Sequence, residues 1–219
     1  IRIENISKVY EKPVRCAALR DISLVFPDTG LVVVAGESGS GKTTLVNILS
    51  GLDTPTSGSV EKDFDVPGAY VFQDNRMIDE LTLEENLRLA ADITGEKPDI
   101  PAYLSRYGLE EVKDHTPNRL SAGQNQRAAV LRAVLMNRAV IFADEPTGNL
   151  DRENAERVAS LLKEESAKRL VITVTHDREL FGKYADRIIE LDKGKVIRDD
   201  AVCENTGTRT VCAEAKPKL

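Results

Sequence analysis

The stretch LVVVAGESGSGKT, residues 31–43, decides the fold of this chain. Its first five residues are an uninterrupted apolar run rich in valine, which is typical of a strand buried on both faces of a parallel sheet. The next eight residues match the G-x-x-x-x-G-K-[ST] pattern of a phosphate-binding loop. A helix over Thr43–Ser50 is predicted to follow. Strand, glycine-rich loop and helix in this order predict an α/β fold built around a phosphate site.

The residue types in the loop suit an anion. Glycines let the backbone turn so that successive N–H groups point at one phosphate, and the following helix adds its positive N-terminal end. Lys42 supplies a mobile charge for the β- and γ-phosphates, and Thr43 supplies a hydroxyl for Mg²⁺. The candidate nucleotide-binding residues here are Gly36, Ser38, Gly39, Ser40, Gly41, Lys42, Thr43 and Thr44.

Further apolar runs extend the α/β pattern. Buried strands are predicted over Tyr70–Phe72, Ala139–Asp144 and Leu170–Thr175, and the amphipathic helix Glu153–Lys168 joins the last two as a crossover. Residues 1–10 and 21–26 alternate apolar and polar side chains, as half-exposed antiparallel strands do. These patterns predict a mixed sheet with a separate antiparallel β subdomain at the N-terminus.

Between residues 74 and 137 the strand signal is replaced by helical periodicity. Helices are predicted over Leu83–Asp92, Pro101–Tyr107 and Ser121–Met136, which indicates an α-helical subdomain inserted into the core. A hairpin around Asp192-Lys193-Gly194 would close the domain at residue 198. Residues 199–219 are polar, and a tail, a linker or a weak terminal hairpin are the alternatives for them.

Two adjacent acids end the predicted strand Ala139–Asp144. Asp144 and Glu145 would be costly to bury unless a cation lies beside them, and this end of a parallel strand is where α/β sheets bind ligands. We expect Asp144 to hold Mg²⁺, and Glu145 to orient and polarise an attacking water. A solvated strand–loop junction is the alternative.

Composition limits the classes of function. The 219 residues carry a formal net charge of -6, which argues against nucleic-acid binding through overall basic charge. Apolar runs reach about five residues, far short of the ~20 that a membrane span needs, and no signal peptide is visible. Three cysteines at irregular spacing favour reduced thiols in the cytosol over pairing of Cys203 with Cys212. The first residue is Ile, so we expect a piece of a longer chain.

Five features in one order resemble a known family. After the phosphate loop come Gln73, then Leu120-Ser121-Ala122-Gly123-Gln124, then Asp144-Glu145, then Asn149-Leu150-Asp151, then His176. Over residues 1–198 the chain resembles the nucleotide-binding domain of ATP-binding cassette (ABC) transporters, a P-loop NTPase. The local sequences of residues 47–53, 56–58 and 144–151 are similar to those of the macrolide-exporter and lipoprotein-releasing branch.

The resemblance implies two ATP molecules in a head-to-tail dimer, on the cytoplasmic face of a membrane and coupled to a permease that is fused or separate. In the partner's site Ser121, Gly123 and Gln124 would receive the γ-phosphate, with Asp151 at the interface. Glu145, His176 and Gln73 would be catalytic; Thr43, Gln73 and Asp144 would hold Mg²⁺. Tyr10 would stack on adenine.

The sequence departs from the family pattern in two places. Ala122 replaces a glycine of the signature peptide, and the segment 59–69 is shorter than expected for the branch. A soluble ABC ATPase of DNA repair, chromosome structure or translation is the alternative function. A phosphate-loop kinase or GTPase is disfavoured because the chain has no N-K-x-D guanine-reading motif.

Overall fold

The structure is a computed structural model that describes residues 1–11, 15–62, 68–74, 76–95, 97–205 and 208–212, with side chains described up to Val202. The strands are β1 Arg2–Tyr10, β2 Cys16–Val25, β3 Gly30–Ala35, β4 Ser57–Glu61, β5 Ala69–Val71, β6 Val140–Asp144, β7 Leu170–Thr175, β8 Arg187–Asp192, β9 Lys195–Asn205 and β10 Thr208–Cys212. The helices are α1 Lys42–Ser50, α2 Leu83–Asp92, α3 Ile100–Tyr107, α4 Ala122–Leu135, α5 Arg152–Ser166 and α6 Arg178–Gly182, and the 3₁₀ turns are Glu110–Val112 and Pro117–Arg119.

The strands form two sheets. The larger has the order β10-β9-β8-β3-β7-β6-β5, in which β8 through β5 are parallel and the two strands at the other edge are antiparallel. The smaller sheet, β2-β1-β4, is antiparallel throughout. This arrangement confirms the predicted α/β class with a mixed sheet and an N-terminal antiparallel subdomain.

The strand before the phosphate loop is buried on both faces. Leu31, Val33 and Ala35 pack into a cluster formed with helices α2 to α5. Val32 and Val34 point the other way, into a cluster formed with α1 and the antiparallel sheet. Because alternate residues of β3 face two different cores, the run has no polar position, as its sequence predicted.

The helices of the inserted segment pack into the same hydrophobic cluster as Leu31, Val33 and Ala35 of β3. Leu87 of α2, Leu104 of α3 and several residues of α4 belong to it. Helix α2 begins at a capping box in which Thr82 Oγ1 accepts from the Glu85 N–H and the Glu85 carboxylate accepts from the Thr82 N–H. No helix in the described part of the chain is long and apolar enough to cross a membrane.

The sheet continues beyond residue 198. β9 runs to Asn205 and pairs with β8 over residues 199–201 and with β10 over residues 201–205. Asp199 accepts two hydrogen bonds from Arg187, and Val202 packs against the larger cluster. The side chains of Cys203 and Cys212 and all of residues 213–219 lie outside the described part.

The short strand β4 has no counterpart among the predicted elements. It pairs with β1 and completes the antiparallel sheet, although its residues are mostly exposed. Such a strand carries no apolar alternation that the sequence could display. Of the segment 59–69, in which a shortened arm is expected, residues 63–67 lie outside the described part of the chain.

Candidate functional site

A cleft of about 610 Å³ opens at the carboxyl ends of the parallel strands. Nine of the predicted site residues line it: Ser38, Gly39, Gly41, Lys42, Thr43, Thr44, Gln73, Glu145 and His176. Gly36 and Ser40 lie in the same loop without lining the cleft, and the Ser40 side chain is buried. Segments far apart in the chain therefore meet around the phosphate loop.

The backbone of the loop requires glycine at its junction with α1. Gly41 is the N-cap of α1 and has a left-handed φ of 105°. A Cβ at this position would lie 2.5 Å from the carbonyl oxygen of Ala18. Only glycine allows both the left-handed φ and the close approach to Ala18. Because glycine has no side chain, the first N–H groups of α1 have no side-chain cap and are available at the cleft.

Lys42 places its charge inside the loop. Its Nζ donates to the carbonyl oxygens of Gly36 and Glu37, both at 2.9 Å, and the residue is buried. The same atom lies 3.9 Å from Oε1 of Glu145. A cation held at the floor of a cleft by its own loop can attract the phosphates of a nucleotide.

Thr43 and Asp144 form a pair of oxygen donors. The Thr43 hydroxyl donates to Oδ1 of Asp144 at 3.2 Å, at the end of the buried strand β6. Burial raises the pKa of Asp144 above its ordinary value. The hydrogen bond from Thr43 lowers the pKa in part, and the negative charge of Glu145 raises it further. A buried carboxylate beside a second one favours a bound cation, which would relieve both effects.

Glu145 is the central carboxylate of the cleft. Its Oε2 lies 2.9 Å from Nδ1 of His176, and Oε1 faces Lys42. The backbone of Glu145 is left-handed, with φ of 46°, and is held by a hydrogen bond from its N–H to the Val174 carbonyl. Such a conformation costs about 1–3 kcal/mol for a residue with a side chain, and these costs concentrate at functional sites.

Gln73 lines the cleft and comes directly before the helical segment in the chain. It follows β5, where the Tyr70 hydroxyl donates to Oδ1 of Asn47 at 3.0 Å. The ring of Phe72 stacks on Tyr70 at 4.3 Å, and the Arg76 guanidinium lies 4.0 Å from the centre of the Phe72 ring. These contacts fix the segment from which Gln73 projects.

Tyr10 lies beside the cleft rather than in its lining. It pairs with Cys16 of β2, which does line the cleft. Its hydroxyl donates to Asp53 at 2.8 Å, and Lys8 Nζ lies 4.9 Å from the ring centre. Tyr10 is 37% exposed and is one of the exposed large hydrophobic residues.

The signature residues lie away from the cleft. Ser121 is the N-cap of α4 and forms a capping box with Gln124. Ala122 is exposed in the first turn of the helix and has no left-handed φ, so its methyl group causes no backbone strain. Gly123 packs against Asn154 of α5, and Asp151 is the N-cap of that helix. Ser121, Gly123 and Asp151 thus belong to two adjoining helix N-termini.

Four lining residues were not predicted: Cys16, Ala18, Gly148 and Asn149. Cys16 and Ala18 come from the antiparallel sheet, and only the placement of that sheet over α1 brings them to the site. Gly148 and Asn149 lie within the peptide that follows Glu145, where proximity to the acidic pair was the available signal. Arg127 of α4 is buried and donates to the Tyr107 carbonyl and to Oδ1 of Asn154.

Comparison with known proteins places these features in a family. The family model described as "ABC transporter" matches residues 19–148. An uncharacterised ABC transporter ATP-binding protein of Methanocaldococcus jannaschii is 37% identical, over 90% of this chain and 97% of the relative. The macrolide export ATP-binding/permease protein MacB of Chlorobium phaeobacteroides is 35% identical over 90% of this chain, which spans a third of the length of that relative (33%).

Solved structures agree with this. The dimeric structure of a post-hydrolysis state of the ATP-binding cassette MJ0796, bound to ADP and Pi, superposes with a TM-score of 0.80 and 32% identity. The match covers 91% of this chain and 97% of that one. The resemblance, including the macrolide-exporter branch, is confirmed, and a kinase or GTPase is not supported. The chain therefore belongs to the ABC transporter family and is one of its ATP-binding, ATP-hydrolysing cassettes.

Proposed function

We propose that this cassette binds ATP in the cleft at the phosphate loop and hydrolyses it with water that Glu145 orients and polarises. The observation that carries the proposal is the position of Glu145, which contacts His176 on one side and faces Lys42 on the other. A carboxylate held in this way can direct a water molecule toward a γ-phosphate bound by the loop.

The other residues at or beside the cleft have complementary roles in this mechanism. Lys42 and the first N–H groups of α1 bind the phosphates, and Tyr10 stacks on the adenine at the rim of the cleft. His176 donates from Nδ1 to Glu145, which orients the carboxylate, and its exposed ring contacts the γ-phosphate. Gln73 contacts Mg²⁺ or the water and relays the state of the nucleotide to the membrane partner.

The donor set fits magnesium. Thr43 supplies a hydroxyl oxygen, Asp144 a carboxylate whose pKa is raised by burial, and Gln73 an amide oxygen. Mg²⁺ prefers such oxygen ligands and keeps several waters, so Asp144 would act through water. Bound magnesium would supply positive charge to the phosphate oxygens of ATP.

The signature residues complete the site in a second cassette. Since Ser121 and Gly123 lie outside the cleft of their own protomer, we propose that they bind the γ-phosphate held by Lys42 of the partner protomer. The dimeric state of the MJ0796 cassettes supports this arrangement. ATP then joins the two protomers, and loss of the γ-phosphate weakens the contact.

The dimer would act on a membrane permease, fused or separate, at the cytoplasmic face of the membrane. The name of the relative MacB includes a permease, which supports this partner. The exported or extracted substrate would be a peptide, a lipoprotein or a drug. A soluble ABC ATPase of repair, chromosome structure or translation is not favoured by the relatives.

The test replaces Glu145 with glutamine. Glu145→Gln keeps the size of the side chain but removes the carboxylate charge, so kcat for ATP hydrolysis should fall about 10²–10⁴-fold while ATP affinity stays the same. The variant should also accumulate as an ATP-bound dimer, measured by analytical ultracentrifugation. Turnover like that of the wild type would refute the role of Glu145.

A further inference from the structure

Asn154 lies where two helix N-termini of the cassette meet. It is in the first turn of α5, and its backbone N–H donates to Oδ1 of Asp151 at 2.9 Å. Its side-chain Nδ2 donates to Oδ2 of the same carboxylate at 2.8 Å. On the other side, Oδ1 accepts from Nη1 of Arg127 at 2.7 Å. One amide therefore joins α5 to the signature helix α4.

The partners determine the orientation of this amide. A guanidinium only donates hydrogen bonds and a carboxylate only accepts them, so the oxygen must face Arg127 and the nitrogen must face Asp151. Both bonds have one ionised partner, which makes them stronger than bonds between neutral groups. The Asn154 amide thus bridges a buried cation and an exposed anion.

Gly123 brings the backbone of α4 against the same amide. A Cβ at Gly123 would lie 2.3 Å from Oδ1 and 2.5 Å from Cγ of Asn154, closer than real Cβ contacts allow. One turn further along α4, Arg127 also donates from Nε to the Tyr107 carbonyl at 3.0 Å, at the end of α3. The first turn of α4 is therefore held by Asn154 through packing and through Arg127.

We propose that Asn154 is a positioning residue, which holds the Ser121–Gly123 turn and Asp151 of one protomer in a fixed relation so that both meet the second cassette as one preformed surface. The inference rests on the proposed head-to-tail dimer and adds a residue to it. A preformed surface lowers the ordering cost of association, so loss of Asn154 should weaken dimer formation more than nucleotide binding by the single cassette.

The experiment measures these two quantities separately. In the Glu145→Gln background, Asn154→Ala should leave the affinity of the monomer for ATP within about twofold and weaken ATP-dependent dimerisation about tenfold or more, because two charge-assisted hydrogen bonds are lost. Asn154→Asp keeps an acceptor for Arg127 but places a second carboxylate against Asp151, so it should also weaken dimerisation. Asn154→Ser keeps a small polar group and serves if the alanine variant does not fold.

Asn86→Ala is the matched control. Asn86 is a buried structural asparagine, whose amide bonds with Ile78, Leu81 and Thr82 in the helical segment. Its loss should reduce stability without changing dimerisation. A second readout is amide hydrogen exchange of residues 122–125 in the nucleotide-free monomer, which should accelerate in Asn154→Ala and not in Asn86→Ala.

Two outcomes would overturn the inference: unchanged dimerisation in a folded Asn154→Ala variant, or unchanged hydrogen exchange in the first turn of α4. Equal weakening by the control would also overturn it, because the effect would then be one of general stability. If the Glu145→Gln parent does not dimerise with ATP, the proposed dimer fails instead, and the hydrogen exchange still decides the role of Asn154 within the monomer.

Discussion

Tyr10 has one ring face engaged and its hydroxyl fixed. Lys8 lies over the ring and also donates to Asp53 at 2.6 Å, and Asp53 accepts from the Tyr10 hydroxyl. These three side chains hold the ring beside Cys16 at the rim of the cleft. A ring that is already held loses little freedom when a base stacks on it.

Replacement of Tyr10 separates stacking from hydrogen bonding. Tyr10→Ala should weaken ATP binding by about 1–3 kcal/mol, because an aromatic platform for the base is lost. Tyr10→Phe keeps the ring and loses only the hydrogen bond to Asp53, so its affinity for ATP should fall less than that of Tyr10→Ala. Isothermal titration calorimetry measures both, and equal affinity of Tyr10→Ala and the wild type would exclude adenine stacking by this residue.

Asp53 should hold this arrangement at neutral pH. Donation from Lys8 holds the pKa of the Asp53 carboxyl below its usual range. Burial acts in the opposite direction and raises the pKa, and the Tyr10 hydroxyl lowers it further. A carboxyl whose pKa is lowered in the folded state contributes to stability at pH values above its unfolded pKa. This contribution is lost as the pH falls through the lowered, folded-state pKa. The Tyr10 contact should therefore persist from neutral pH to below about pH 4.

Individual site residues could be predicted where a local pattern carries the chemistry. Lys42 follows a glycine loop, and Glu145 follows a buried strand, so both could be assigned to one end of the sheet. The burial of Arg127 could not be predicted, because it depends on the distant residues Tyr107 and Asn154. Cys16 was missed for the same reason, since its strand reaches the cleft only in the folded chain.

Among the elements, β9 differs most from its prediction. The polar sequence beyond Arg198 suggested an end of the domain, but polar residues are compatible with a strand near the edge of a sheet. Asp199 and Ala201 pair with Ile189 and Arg187 of β8, and the Arg187 guanidinium binds Asp199 through two nitrogens. Residues 199–202 therefore extend the large sheet, and Val202 packs against its hydrophobic cluster.

Truncation tests this contribution. A chain that ends at residue 198 loses the pairing of 199–201 with β8 and leaves Arg187 without its carboxylate, so its free energy of unfolding should fall by about 2 kcal/mol or more. A chain that ends at residue 205 keeps these contacts and is the control. Urea denaturation compares them, and identical midpoints would show that the cassette is complete at residue 198.

At the scale of the whole molecule, the phosphate loop and the signature turn belong to different surfaces. The loop lines the cleft, and Ser121 caps α4 outside it. In the proposed symmetric dimer each ATP would contact the loop of one protomer and the signature turn of the other. A defect in the loop would then disable the ATP site of its own protomer, whereas a defect in the signature turn would disable the ATP site of the partner.

Complementation between two inactive variants tests this geometry. Lys42→Ala should prevent nucleotide binding by its own loop, and Ser121→Arg should block the γ-phosphate held by the partner. Each variant alone should be nearly inactive. In an equal mixture, half of the dimers would have one intact site out of two, so ATPase activity should recover to about a quarter of the wild-type value. A mixture as inactive as its components would contradict the head-to-tail arrangement.

The sequence predicted strands β3, β6 and β7 at the centre of the large sheet because their residues are mostly apolar and all three strands are buried. Strand β4 was not predicted, since its exposed residues 57–61 show no pattern apart from their partner β1. Contacts between elements distant in the chain, such as α4 with α5, were likewise beyond the sequence. The fold class was thus determined locally, whereas the relation between the phosphate loop and the signature turn was determined by packing.

The contact between Gly123 and Asn154 has a consequence for the evolution of related chains. Since a Cβ at position 123 would overlap the Asn154 amide, the two positions cannot vary independently. Any side chain at 123 requires a smaller or differently oriented residue at 154, and Arg127 then needs another acceptor. Aligned cassettes should therefore show correlated substitution at these three positions, so that the glycine of the signature reflects a constraint within one protomer as well as the proposed contact with a phosphate.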